Sequence, residues 1–67
     1  MEDVSGALES LRAERDRLVR ELEGLEKNHE KGAIQEEEYT ARKKELERKI
    51  VEVMDRIVQT EFLLGQR

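Results

Sequence analysis

Apolar residues recur through the first half of the chain at Val4, Leu8, Leu11, Leu18, Leu22 and Leu25, in alternating steps of four and three. That spacing keeps side chains on one stripe of a helix and marks the a and d positions of a heptad seam. Arg15 fills the one missing position and His29 takes the next. A second series with the same steps runs Tyr39, Lys43, Leu46, Ile50, Val53, Ile57, Thr60, Leu64. Between them the pattern breaks over Lys31-Gly32-Ala33-Ile34-Gln35. The expectation is an all-α fold with two helices, over about residues 5–31 and 36–64, and a turn at 31–35, so that residues 1–67 make one helical hairpin.

The break has a definite chemistry. Gly32 lacks a Cβ and suits the left-handed position that ends a helix. Gln35 falls at the N-cap of the second helix, where Ser or Asp is the stronger choice. Glu38 then sits at the third helical position, as in a capping box, and Ile34 and Tyr39 take the two positions of a hydrophobic staple. Glu36, Glu37 and Glu38 favour the positive end of the helix dipole. Asp3 or Ser5 is expected to cap the first helix.

Folding the chain back at this turn sets the register. The facing pairs are His29–Tyr39, Leu25–Lys43, Leu22–Leu46, Leu18–Ile50, Arg15–Val53, Leu11–Ile57, Leu8–Thr60 and Val4–Leu64. Residue numbers in every pair add to 68, so the stripes match over their whole length. This match favours an antiparallel coiled-coil hairpin over one continuous helix.

Composition agrees with that reading. The chain has 67 residues, 45% of them charged and 3% aromatic, with no Pro, Cys or Trp. Such a balance suits either a long charged helix or disorder, and the unbroken periodicity decides for the helix. Disulfides and thiolate metal sites are excluded. A net charge of −4 and a pI near 5.0 argue against nucleic acid or an anionic membrane as partner. No apolar run approaches the roughly 18 residues of a membrane span. Met1-Glu2-Asp3 does not open a signal peptide, and the expected location is cytoplasmic. Acid-first i,i+4 pairs, Asp16–Arg20, Glu23–Lys27, Glu38–Arg42, Glu45–Lys49 and Glu52–Arg56, are expected to clothe the outer faces.

Candidate chemistry is sparse. His29, next to the turn and opposite Tyr39, has no neighbouring ligand or base and reads as a stacking partner or helix-end cation. Arg12, Arg15, Arg17 and Arg20 are interleaved with Glu14, Asp16 and Glu21, which cancel them. Adjacent glutamates at 36–38 point in different directions and do not assemble a metal site. No nucleophile–base pair or phosphate loop is present. No catalytic residue, cofactor, metal or small-molecule substrate is therefore expected. Gly24 falls mid-helix at an outward position, where it costs up to about 1 kcal/mol relative to Ala.

The second helix is richer in apolar residues than a hairpin needs. Seam positions account for Ile50, Val53, Ile57 and Leu64, leaving Val51, Met54, Val58 and Phe62 as a second stripe, with Leu63 beside it. Val19 and Ala7 add a little on the first helix. The stripe either widens the hairpin's own core or docks a partner, and two helices cannot enclose both stripes. Val51, Met54, Val58, Phe62 and Leu63 are thus the candidate partner-binding residues. The partner is a second copy, making a four-helix bundle, or another helical protein. The functional expectation is a non-enzymatic oligomerisation or scaffold module. The alternative is a nucleic-acid-associated or regulatory accessory protein.

The stretch from Leu22 to Ile50 resembles a recurring pattern of Leu-x-x-Leu, then Gly-x-Ile-x-x-x-Glu-Tyr, then a charged Leu-containing helix. Here the residues are Leu22 and Leu25, then Gly32, Ile34, Glu38 and Tyr39, then Leu46. The pattern is similar to that of the short C-terminal domain of many prokaryotic proteins, and to hairpins in gas vesicle protein G and cytochrome c maturation proteins. It covers under half of the chain, and Gln35 stands where the pattern has Ser or Thr. The resemblance implies a prokaryotic or archaeal assembly module with no catalytic residues to carry over.

Overall fold

The computed structural model describes residues 4–65. Helix α1 spans Val4–Glu30 and helix α2 spans Glu36–Leu63. They pack antiparallel into a hairpin 45 Å long and 14 Å thick. Both helices end within a residue of the expected bounds. Ser5 lies inside α1 and is not its cap, because the helix already includes Val4; Asp3 lies outside the described residues.

The chain leaves α1 through a Schellman motif. Gly32 adopts φ +74°, its N–H donates to the His29 carbonyl at 3.0 Å, and the Ala33 N–H donates to the Asn28 carbonyl at 2.9 Å. Two of the carbonyls that a helix end leaves unpaired are satisfied this way. Gln35 is the N-cap of α2, with the extended backbone that position requires (φ −73°, ψ 150°). Its side chain makes no cap hydrogen bond. The extra methylene of Gln, relative to Asn, moves the amide oxygen away from the helix N–H groups that a shorter side chain reaches. The capping box is accordingly incomplete, and Glu38 instead lies 3.6 Å from Arg42. Ile34 is half-buried and Tyr39 buried, as a staple requires. α2 ends as α1 does, on a left-handed glycine: Gly65 has φ +77°, and its N–H donates to the Phe62 carbonyl at 3.0 Å.

The seam holds the expected register. Leu8, Leu18, Leu25, Tyr39, Val53 and Ile57 are buried. Their opposite numbers, Thr60, Ile50, Lys43, His29, Arg15 and Leu11, are each half-buried, as are both members of Leu22–Leu46. Except at Leu22–Leu46, one residue of each of these pairs is therefore more deeply buried than the other. Arg15, opposite Val53, is half-buried, and its head pairs with Asp16 at 3.1 Å. The remaining pair ends on the Val4 side chain, which lies outside the described residues. Leu8, Leu18, Val53 and Ile57 form one cluster, flanked by Leu11, Leu46, Ile50 and Leu64. Among the described residues no large side chain is fully enclosed, because two helices cannot surround one.

The surface ion pairs differ from expectation. Glu38–Arg42 and Glu45–Lys49 form, at 3.6 and 3.8 Å. Asp16 pairs with Arg15 rather than Arg20, Glu52 with Arg48 rather than Arg56, and Glu23–Lys27 is not among them. Arg17 pairs with Glu21 at 2.9 Å and, more loosely, with Glu14 at 3.9 Å. Where an exposed residue has an opposite charge on both sides, the alternatives differ by a few tenths of a kcal/mol and spacing alone does not select between them.

Candidate interaction surface

Along α2, each residue advances about 100° around the axis. Val51, Met54, Val58 and Phe62 therefore fall on one stripe, roughly 120° around from the seam. None of them belongs to the seam cluster or packs against it. Val51 is 66% exposed, Met54 48%, Val58 62% and Phe62 68%. The stripe is about 16 Å long, at 1.5 Å per residue. Leu63 is 76% exposed but points about 100° away from Phe62, so it borders the stripe instead of extending it. Val58, Gln59, Phe62 and Leu63 together line a shallow concavity on the helix surface.

This apolar face reaches across to α1. Arg12 and Glu61 form a 2.9 Å ion pair over the flank of the seam. One heptad further in, the equivalent positions are Val19 and Met54, seven on from Arg12 and seven back from Glu61. Val19, 37% exposed, thus shares the face of the hairpin towards which Met54 points. Ala7 is half-buried.

The turn end has a different character. The His29 and Tyr39 rings stack with centroids 3.7 Å apart and planes 7° from parallel. His29 Nε2 lies 2.9 Å from Glu36 Oε1, joining the last turn of α1 to the first of α2. The Tyr39 hydroxyl donates to Glu26 Oε1 at 3.0 Å and accepts from Lys43 Nζ at 3.3 Å, while Lys43 also pairs with Glu26 at 3.5 Å. The Tyr39 hydroxyl, and then the negative charge of Glu26, hold the Lys43 ammonium above its ordinary value of 10.5. Each group here has its partner within the hairpin, so the network works as a clasp. The spacing of seam residues pointed to the stack but not to Glu26, which lies one position beyond the seam.

The opposite face of the hairpin carries interleaved charges. Glu21, Arg42, Glu45 and Lys49 line one groove, and Arg17, Glu52 and Arg56 border its neighbour. Neither sign prevails, and Arg12, Arg15 and Arg17 are each ion-paired within the chain. Among the described residues no group of three or more potential ligands could hold a metal, and no helix is long and apolar enough to cross a membrane.

Compared with family models, curated proteins and solved structures, the chain has no match.

Proposed function

We propose that this protein is a non-enzymatic interaction module that assembles with other helices through the exposed stripe of α2. The observation that carries the reading is the exposure of Val51, Met54, Val58 and Phe62 in a helix whose other outward positions are mostly charged. A small hairpin gains little from its own thin core, so covering this face is where further stabilisation is available. Burying the exposed part of each of these side chains is worth roughly 1–2 kcal/mol. Contributed from both sides of an interface, that is commensurate with the cost of association, about 4–15 kcal/mol.

The polar clasp at the turn suits such a module. It holds the helices in register at one end and leaves the other end to present the apolar face. The resemblance of the turn segment to prokaryotic assembly hairpins is in keeping with this role, as is a cytoplasmic location.

Thermal melts over a hundredfold range of protein concentration test the reading, because association makes the midpoint rise with concentration. Val58→Glu is expected to abolish that rise and the capture of binding partners. Glu45→Gln, on the charged face, is expected to change neither. A wild type that melts identically at all concentrations, and retains the same partners after Val58→Glu, would refute it.

A further inference from the structure

We propose that the occupant of the α2 face is a second copy of this chain, with the two α2 helices packed antiparallel about a two-fold axis near the level of Arg56. The proposal rests on the reading of this face as a docking surface and names what docks there.

The spacing of the stripe is self-complementary in that arrangement. Turning α2 end for end about the level of Arg56 sets Val51 opposite Phe62 of the second copy and Met54 opposite its Val58. The two-fold repeats both layers, so four apolar layers form without a polar residue on the centre line. A parallel pair would stack the same residues on themselves, but at a cost further along. Lys44 and Glu47 continue the line of the stripe towards the turn. In a parallel pair each meets its own like charge, which is unfavourable. In the antiparallel pair Glu47 lies level with Gly65 of the other copy and Lys44 beyond it, both past the end of that copy's α2 at Leu63. Charge pattern therefore selects the antiparallel form.

The area is in proportion. At their observed exposures the four side chains present about 400 Å² of largely apolar surface per copy. A stable interface buries about 800 Å² per partner, of which roughly three-fifths is apolar. The stripe supplies most of that apolar share, and Val19 on the neighbouring shoulder of α1 adds to it. One group opposes the arrangement. Asp55 flanks the stripe close to the axis and faces Asp55 of the second copy, although Gln59 Nε2 donates to its Oδ2 at 3.1 Å.

Sedimentation of the full chain measures the association directly. The wild type is expected to be a dimer that Val58→Glu weakens by roughly 30-fold or more, and that Asp55→Asn tightens. The chain contains no Cys, so single cysteines report the register. Mixing Val51→Cys with Phe62→Cys under exchanging conditions should give the mixed disulfide in excess over both homodisulfides. This readout is independent of whether Val58→Glu folds. Dominant Val51→Cys homodisulfide would mean a parallel pair and overturn the proposal. A wild type that remains monomeric at millimolar concentration would overturn the second copy as occupant. If Val58→Glu then still abolished capture of a different protein, the docking surface would stand with another partner.

Discussion

Replacing a glycine by alanine should have opposite effects at two positions of this hairpin, and the contrast isolates backbone conformation from packing. A Cβ built on Gly24 or on Gly32 meets nothing within 4 Å, so neither substitution makes a clash. Gly24 lies within α1 in helical conformation. There alanine reduces the entropy of the unfolded chain and carries higher helix propensity, which should stabilise by up to about 1 kcal/mol. Gly32 has φ +74°. A Cβ there strains the left-handed backbone by roughly 1–2 kcal/mol, and the Schellman hydrogen bonds resist relaxation. In a domain of this size 1 kcal/mol moves the melting midpoint by about 4–8 °C. Gly24→Ala should melt several degrees above the wild type and Gly32→Ala at least as far below it. Circular dichroism at one fixed protein concentration is the assay, since self-association would otherwise shift both midpoints. Midpoints that moved in the same direction would refute the assignment of Gly32 to the helix stop.

Gln35→Asp places a short acceptor at an N-cap whose backbone is already extended, and should stabilise the hairpin by about 1 kcal/mol in urea titrations. Tyr39→Phe keeps the ring on His29 but removes the hydroxyl shared by Glu26 and Lys43; a loss of about 1 kcal/mol is expected, and an unchanged urea midpoint would show the clasp to be inert. Lys43 is held above its ordinary value when folded, so its contribution is fully present below pH 10.5 and lost as the pH rises through the folded value. Alkaline titration of stability should therefore fall more steeply for the wild type than for Lys43→Gln, and superimposable curves would contradict the network.

The register was legible because each seam position is apolar in at least one member of its pair. Lys43 faces Leu25 and Arg15 faces Val53, so the polar interruptions never meet. The turn was legible for a similar reason, since Gly32, Ile34 and Tyr39 each meet a separate local requirement. What escaped sequence reasoning lay where alternatives are close in energy or where a contact crosses helices off the seam. Arg17 has Glu14 on one side and Glu21 on the other, and Glu52 lies between Arg48 and Arg56. Glu26 reaches Tyr39 from a flanking position that heptad spacing does not single out. Gly65 carried a signal akin to that of Gly32, a glycine shortly after the last seam position of its helix, and marks the second helix stop. The exposed stripe itself was readable, because a helix with two apolar stripes and one neighbour must leave one uncovered.

The clasp also sets an order of events along the chain. His29 and Glu36 are seven residues apart and Glu26 and Tyr39 thirteen, whereas Arg12 and Glu61 are separated by forty-nine. Loop-closure entropy disfavours the distant pair until the nearer ones have formed. The hairpin should therefore zip from the turn, with amide protons near Leu25 and Lys43 exchanging more slowly than those near Leu8 and Thr60. The apolar stripe lies in the half that closes late and opens first. A partner that binds only the closed form is then a fastener for that half, and its binding energy and the persistence of the zipped state are thermodynamically linked.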